Sequence, residues 1–122
     1  MLTKDQFCAL AAQGHNHVPL SLETFADLDT PLSIYLKLAN QKYSYLLESV
    51  VGGEKSGRYS IIGLTCRTRI EKKNNVVREY LDDTCVAEHP DVDLFEFTRA
   101  FLKRYQVPKL DGHARYSGGL VG

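Results

Sequence analysis

The chain has 122 residues, of which 43% are hydrophobic and 25% are charged. This length and composition fit one globular domain around a single core, so we treat residues 1–122 as one domain. Fifteen basic residues balance fifteen acidic residues, and the formal net charge is zero. A neutral chain lacks the positive field that attracts nucleic acids or anionic membranes, so we expect neither as a partner.

The sequence also carries no sign of export or membrane insertion. No apolar run approaches the roughly 18 residues of a membrane-spanning helix, and the N-terminus lacks the apolar stretch of a secretory signal. Three widely spaced cysteines, Cys8, Cys66 and Cys85, fit reduced thiols better than a disulfide framework. These features predict a cytoplasmic protein.

Two short helices are predicted in the N-terminal third of the chain. Thr3 and Gln6 have the spacing of a capping box, and the amphipathic run that follows ends at Gly14. Thr30 followed by Pro31 is typical of an N-cap and a first helical residue. Between these helices, HNHVPLSLETF contains a proline and predicts an edge strand or a loop.

The middle of the chain predicts two β-hairpins. SYLLESVV and RYSIIGL are rich in β-branched and aromatic residues, and GGEKSG separates them. RTRIEKK and VVREYL flank Asn74 and Asn75, which tolerate the positive φ angles of a type I′ turn.

Several charged residues near these hairpins fit structural roles. The densest basic cluster consists of Arg67, Arg69, Lys72 and Lys73. We interpret it as the solvated face of a strand, because its members alternate with Thr and Ile. Asp82, Asp83 and Asp91 are typical of turns and caps rather than of a catalytic carboxylate pair.

The C-terminal third predicts one more helix and an unusual end. Asp93 and Glu96 begin an amphipathic helix that we expect to end close to Val107. Three helices and four or five strands without βαβ alternation predict an α+β fold with an antiparallel sheet of hairpins. The final YSGGLVG is apolar and strand-like, so we expect the chain to be a fragment.

The first hairpin carries two polar residues inside an apolar strand. Residues alternate across a strand, so Leu47 and Ser49 face one way while Glu48 and Val50 face the other. Both faces are otherwise apolar, and three short helices can barely cover both. Burying Glu48 or Ser49 without partners would cost about 1–3 kcal/mol or more, so each is expected to bind a partner or a ligand.

The residues alone leave two interpretations of this hairpin open. If Val51 lies opposite Arg58, then Ser49 opposes Ser60, and Arg58 joins the two hydroxyl groups on one face. Such a surface could bind an amino acid, with Arg58 on the carboxylate and Glu48 or Ser49 on the ammonium group. The alternative is a buried ion pair between Glu48 and Arg58 that holds the hairpin together.

The sequence gives no sign of a cofactor site in this chain. GGEKSGRY lacks the Lys and Ser or Thr of a phosphate-binding loop, and a strand follows it instead of a helix. His15 and His17 have no acidic or thiol partner at ligand spacing, so we interpret them as loop residues. We therefore expect no metal in this chain and no nucleophilic catalytic residue.

Three motifs together resemble a known family. TPLSIYLKL, SYLLESVVGGEKSGRYSIIG and YSGGLVG follow the order and spacing of the N-terminal region of anthranilate synthase component I. The resemblance covers nearly the whole chain. It implies half of a larger two-part sandwich, with a chorismate-binding catalytic domain that lies outside residues 1–122.

The family's activity would belong to the longer protein. The resemblance implies that chorismate plus glutamine or ammonia gives anthranilate and pyruvate. Mg²⁺ would be bound in the absent catalytic domain, and a glutamine amidotransferase subunit would be a partner. None of the catalytic residues is expected in this chain.

The resemblance also implies a regulatory role for the first hairpin. In this family the serine of LLES, here Ser49, contacts the inhibitor L-tryptophan, and its neighbours Leu47, Glu48 and Val50 flank it. In the related aminodeoxychorismate synthases a tryptophan sits against a second segment. The matching residues here are Ser56, Gly57, Arg58 and Tyr59.

Two other functions remain open on the sequence. The chain could come from component I of aminodeoxychorismate synthase, which serves the folate branch. It could instead be a free-standing amino-acid-binding or interaction module. In either case we expect exposed strands such as SYLLESVV to favour self-association of the chain.

Overall fold

A computed structural model describes residues 1–48, 59–112 and 118–122, and these contain three helices and five strands. The helices are α1 (Lys4–Ala12), α2 (Pro31–Leu38) and α3 (Leu94–Leu102). The strands are β1 (Tyr45–Glu48), β2 (Ser60–Gly63), β3 (Thr68–Lys73), β4 (Val76–Leu81) and β5 (Thr84–Pro90). β1 pairs with β2, and β3, β4 and β5 form a second antiparallel sheet with β4 in the centre. The predicted α+β fold is therefore confirmed.

Each helix begins after a polar residue whose side chain accepts a backbone hydrogen bond. Thr3 and Thr30 form reciprocal capping boxes with Gln6 and Ser33, as the sequence indicates for the first pair. Asp93 caps α3 through one bond to the backbone of the first turn. These side chains satisfy N–H groups that a helix start leaves unpaired, which explains where the helices begin.

The described residues fall into two compact units. The first unit contains Met1–Thr24, Lys72–Val77 and His89–Gly122, and the second contains Phe25–Glu71 and Arg78–Glu88. The first unit includes α1 and α3, and the second includes α2, β1 and β2. Of the helices that the structure describes, none has the length and apolar character needed to cross a membrane.

A series of aromatic contacts packs α3 in the first unit. The rings of His89 and Phe97 have centroids 4.8 Å apart, and those of Phe101 and Tyr105 are 5.6 Å apart. The ring of His17 extends the series, with its centroid 4.6 Å from that of Tyr105. Phe101 is buried, so this series forms the apolar centre of the unit around α3.

The end of α3 differs from the sequence prediction. The helix ends at Leu102 instead of close to Val107. The side chain of Asn16 accepts from the Gln106 N–H at 2.7 Å and donates to the Arg104 carbonyl at 2.7 Å. A longer helix could pair the Gln106 N–H internally, but the Arg104 carbonyl would face Pro108, which has no N–H, so Asn16 supplies both groups with a partner.

Tight turns join the strands of the three-stranded sheet. Asn74 and Asn75 have φ angles of 51° and 61°, which confirms the predicted left-handed turn. Asp82 and Asp83 have φ angles of 49° and 64° between β4 and β5, so their assignment as turn residues is also confirmed. Asn and Asp adopt this region more readily than other non-glycine residues, which explains their place at both turns.

The second unit is organised around α2 and the β1–β2 hairpin. α2 packs against both strands, and Ala39 just after the helix is buried. Tyr35 on the same face is half-buried. Leu32 and Leu36 remain exposed, although the sequence pattern places them on one apolar face with Tyr35 and Ala39.

The register of the first hairpin corrects the assumption made from the sequence. Glu48 pairs with Ser60 and Leu47 pairs with Ile61. The assumed register instead placed Ile62 opposite Leu47, one residue further along. Because side chains alternate with a period of two, this one-residue difference moves Ser60 onto the face of Glu48.

Two apolar segments are not strands. Residues 15–25, read as an edge strand or a loop, have no regular secondary structure, so the loop alternative is correct. Residues 118–122 are also irregular, and the expected strand is wrong for this part of YSGGLVG. Gly118 and Gly119 have φ angles of 146° and 157°, which differ from the negative φ of an ordinary strand.

We predict that Gly63→Ala destabilises the hairpin. Gly63 lies opposite Tyr45, and an added methyl group would overlap three atoms of the Tyr45 ring. Displacing the ring should lower the free energy of unfolding by about 1–3 kcal/mol, measured by urea denaturation. Gly122→Ala is the matched control, because nothing lies within 4 Å of a methyl group there. Equal stability of the two variants would contradict the proposed overlap.

We also predict that Asp29 contributes stability that depends on pH. Lys37 and Ser33 donate to its carboxylate at 2.6 and 2.8 Å, and these hydrogen bonds lower the pKa of Asp29 from 3.8. A lowered pKa in the folded state stabilises the fold above the unfolded-state pKa, and this contribution disappears as pH falls through the folded-state pKa. Asp29→Asn should therefore lower the Tm at pH 7, and the difference from the parent chain should close below pH 3.8.

The control for this prediction is Asp27→Asn. Asp27 is exposed and makes no ion pair among the described residues. Its replacement should change the Tm little at any pH. A Tm difference for Asp29→Asn that stays constant from pH 7 to strongly acidic pH would show that the carboxylate charge is not responsible.

Candidate functional site

Three of the residues predicted to contact an amino acid are described, and all three are exposed. Leu47 and Glu48 end β1, and Tyr59 immediately precedes β2. Leu47 is 45% exposed and Tyr59 is 71% exposed, which leaves both available for contact with a ligand or with another segment. These residues flank the segment from 49 to 58 at one end of the hairpin.

The other five predicted residues lie outside the described part of the chain. They are Ser49, Val50, Ser56, Gly57 and Arg58. Their proposed contacts with tryptophan stay predictions, and so does the alternative ion pair between Glu48 and Arg58.

The observed register gives the described end of the hairpin a defined polar face. Glu48 and Ser60 are directly paired, so their side chains share a face with Leu46 and Ile62. Directly opposed residues have Cβ atoms about 4.5–5.5 Å apart, which brings the carboxylate and the hydroxyl group together. A carboxylate and a hydroxyl group both accept hydrogen bonds, so this pair can receive an ammonium group.

A hydrogen-bond network surrounds the start of β1, at the opposite end of the strand. The Tyr35 hydroxyl lies 3.0 Å from Ser44 Oγ, and Ser44 Oγ donates to the Gln41 carbonyl at 2.7 Å. The Gln41 side chain accepts from Thr65 Oγ1 at 3.3 Å. These bonds connect the start of β1 to α2 and to the segment after β2.

Arg69 adds a stacking interaction to the same region. Its guanidinium carbon lies 4.3 Å from the ring centroid of Tyr43 and 4.3 Å from that of Tyr80. Its Nε donates to Glu71 at 2.7 Å and its Nη1 to Asp83 at 3.0 Å. The Glu71 hydrogen bond is the main reason why the pKa of Arg69 is raised, and burial partly opposes it. The guanidinium therefore contacts two aromatic rings and is bound to two carboxylates.

Tyr43 adopts an uncommon backbone conformation beside this stack. Its φ angle is 58°, in the left-handed region. For a bulky residue this conformation costs about 1–3 kcal/mol and persists only where surrounding contacts enforce it. The Arg69 guanidinium contacts the ring of Tyr43, which lies immediately before Ser44 and β1.

The two neighbouring arginines of the basic cluster play different roles. Arg67 fits the predicted solvated face, since its side chain is 75% exposed and pairs with Asp82 at 2.7 Å. Arg69 does not, since its side chain is only 18% exposed. The sequence did not predict the contacts of Arg69 with Tyr43 and Tyr80, because these residues come from three separate segments and no local pattern indicates such contacts.

An open groove of about 580 Å³ lies beside Arg69 in the second unit. Residues 41–43, 65–67, Arg69, Asp82 and Asp83 line it. Charge in the groove is nearly balanced, because Arg67 and Arg69 are already paired with Asp82 and Asp83. Lys42 also lines the groove and makes no ion pair among the described residues, so one positive charge in the groove is unpaired. Cys66 on its wall is free and exposed, as are Cys8 and Cys85.

The described residues contain no group of three His, Cys, Asp or Glu side chains that could hold a metal ion. His17 packs on Tyr105, and its Nδ1 lies 2.9 Å from Asn16 Oδ1. This histidine therefore has a packing role at the end of α3.

Comparison with known proteins identifies relatives of the whole chain. No family model and no solved structure matches it. Anthranilate synthase component 1 of Pseudomonas aeruginosa is 53% identical over 121 residues, which are 99% of this chain and 25% of that protein. The protein of the same name from Neisseria meningitidis serogroup B is 49% identical over 122 residues, which are 100% and 25% of the two chains. That of Pseudomonas putida is 50% identical over 121 residues, or 99% and 24%.

These matches confirm the resemblance that three sequence motifs predict. The chain spans about a quarter of the length of the curated relatives it matches. Identity near one half over all or nearly all of the chain is the observation that decides its relationship. The chain is therefore related by sequence, throughout its length, to a portion of anthranilate synthase component 1.

Proposed function

We propose that the chain is the N-terminal part of an anthranilate synthase component 1 and that its first hairpin forms one wall of an L-tryptophan inhibition site. The observation that carries the proposal is the near-complete coverage of this chain by relatives of that name, at about 50% identity. The quarter of their length that it matches supports a fragment of a longer enzyme.

The chemistry of the proposed function belongs to the longer protein. In the proposal, that protein converts chorismate and glutamine or ammonia to anthranilate and pyruvate. Mg²⁺ and chorismate bind parts outside this chain, a glutamine amidotransferase subunit is a partner of the longer protein, and the protein acts in the cytoplasm. Product analysis of the longer protein tests the reaction, since aminodeoxychorismate as the product would contradict the proposal.

The described end of the hairpin offers groups suited to an amino acid. Glu48 carries a negative charge for the ammonium group, and Ser60 beside it adds a hydroxyl acceptor. Leu47, which alternates onto the face opposite Glu48, and Tyr59 supply exposed apolar surface for an indole ring at the same end of the hairpin. Because the site is only half enclosed by these residues, a second wall from the rest of the protein is part of the proposal.

Inhibition then follows from linkage between binding and conformation. Tryptophan must bind an inactive arrangement of the protein more tightly than the active one, because equal affinity for both would shift nothing. A coupling free energy of roughly 1–3 kcal/mol is enough for a 5-fold to 150-fold effect. A hairpin that contacts both the inhibitor and the remaining protein is suited to supply this difference.

We predict that Ser49→Phe in the longer protein abolishes tryptophan inhibition while leaving kcat largely unchanged. The phenyl ring would occupy the space of the indole, whereas the catalytic residues are expected elsewhere. The measurement is the inhibition constant for L-tryptophan at fixed chorismate concentration. Ser21→Phe makes the same chemical change on an irregular segment of the first unit and is the control. An unchanged inhibition constant in Ser49→Phe would refute the role of Ser49.

The exposed apolar side chains support a covering partner for this chain. Phe25 is 95% exposed and Leu28 is 100% exposed in the second unit, and Leu22 is 80% exposed in the first. Scattered apolar residues are normal on a surface, but large exposed patches mark interaction sites. In the proposal, the remaining three quarters of the longer protein cover part of this surface.

We predict that the isolated chain self-associates in the absence of that covering protein. Light scattering should show a mass that rises with protein concentration. Phe25→Ser with Leu28→Ser should reduce the association, because both replacements remove exposed apolar area. Lys42→Ser is a control at an exposed polar position. A mass of one chain at every concentration would contradict the prediction.

A further inference from the structure

We propose that Arg69 is a positioning residue for the tryptophan site. It acts on β1 through Tyr43, which lies two residues before the strand. The inference rests on the proposed function, because the inhibitor contacts follow from that proposal. It adds a residue that lies on β3, outside the hairpin and outside every motif that indicated the family.

The described part of the hairpin gives little support to its own position. Within it, β1 and β2 share four residue pairs, and no residue of either strand is buried. A two-stranded ribbon of this kind is at best marginally stable by itself in water. The placement of Glu48 therefore depends on contacts that lie beyond the ladder of β1 and β2.

Several of these contacts meet at the start of β1. Tyr43 precedes Ser44, whose hydroxyl is bonded to Gln41 and lies within hydrogen-bond distance of Tyr35. The Tyr43 ring also lies against the guanidinium of Arg69, which contacts the Tyr80 ring as well. This stack holds Tyr43 in its left-handed conformation and so sets the direction in which the chain enters β1.

Arg69 is well suited to act as a fixed reference point. Its two hydrogen bonds to Glu71 and Asp83 orient the plane of the guanidinium, and its side chain is largely shielded from solvent. A planar group with fixed edges offers a defined face to each ring. A lysine ammonium at this position would keep the charge and lose that geometry.

A change at Tyr43 would be transmitted to Glu48 along β1. Glu48 lies five residues after Tyr43, and an extended chain of that length spans roughly 16 Å. A change of direction or register at the start of β1 would move Glu48, and a one-residue slip would turn it to the other face. Tryptophan affinity should therefore be sensitive to Arg69, although no contact between Arg69 and the ligand is proposed.

The test measures tryptophan inhibition and turnover separately in the longer protein. Arg69→Met keeps the length of the side chain and removes the planar charge, and it should raise the inhibition constant about tenfold. Arg69→Lys should also raise it, because the fork of N–H groups is lost. The values of kcat and KM for chorismate should stay within about twofold of the parent protein, because the residue acts on the regulatory hairpin.

Two variants of Tyr43 complete the test: one removes the ring, and the other keeps it. Tyr43→Ala removes the ring and should raise the inhibition constant as Arg69→Met does. Tyr43→Phe keeps the ring against the guanidinium and should restore an inhibition constant close to the parent value. Tyr80→Leu removes only one of the two rings that contact Arg69. It replaces Arg69→Met as the test variant if Arg69→Met fails to fold.

The matched control is Arg67→Met. Arg67 lies two residues away, lines the same groove and pairs with Asp82, yet no stack on Tyr43 holds it. Its replacement should leave the inhibition constant unchanged. Equal increases in Arg67→Met and Arg69→Met would overturn the proposal, because they would indicate a general effect of charge.

The outcomes separate this inference from the proposed function. If Ser49→Phe abolishes inhibition while Arg69→Met and Tyr43→Ala leave it unchanged, the positioning role is wrong and the tryptophan site stands. If Ser49→Phe leaves the inhibition constant unchanged, the proposed tryptophan site itself is wrong, whatever the Arg69 variants show. A lower Tm for Arg69→Met with an unchanged inhibition constant would assign Arg69 a purely structural role and overturn the inference.

Discussion

The contacts of the Arg69 guanidinium with the rings of Tyr43 and Tyr80 are the interaction on which the proposed positioning of β1 depends. They join the segment before β1 to β3 and β4, which are themselves neighbours in the three-stranded sheet. A guanidinium in contact with two aromatic rings and bound to two carboxylates cannot rotate without losing several contacts together. In the proposal, the strand that carries Glu48 is thereby fixed at its start, although the described part of its sheet has two strands and no buried residue.

The local features of the fold could be predicted from the sequence. The starts of the helices follow from Thr3, Thr30 and Asp93, because a capping residue acts on backbone groups in the next turn. The turn at Asn74 and Asn75 follows for the same reason, since the required backbone angles depend on those two residues alone. Each of these predictions needs information from only a few neighbouring positions.

The features that were missed depend on residues far apart in the sequence. Asn16, which is far from α3 in the sequence, binds the backbone just after the helix, and no residue near Leu102 indicates this contact. The hairpin register could not be predicted because the connection between its strands is long, and only a tight turn fixes register by itself.

β5 shows no clean alternation of apolar and polar residues and ends in Pro90, so its sequence does not stand out as a strand. For the tryptophan site, recognition rests on motifs, and of its residues only Leu47, Glu48 and Tyr59 lie in the described part of the chain.

The tight turns of the three-stranded sheet impose a constraint on sequence variation. Glycine would adopt their left-handed angles at lower backbone cost, yet the side chains at these positions also form contacts. Asn75 donates to Asp91, Asp82 accepts from Arg67, and Asp83 accepts from Arg69. Replacement by glycine would preserve the bend and lose the contact, and most other residues would lose the bend. These surface positions should therefore show low mutational tolerance, closer to that of a core residue than to that of an ordinary loop.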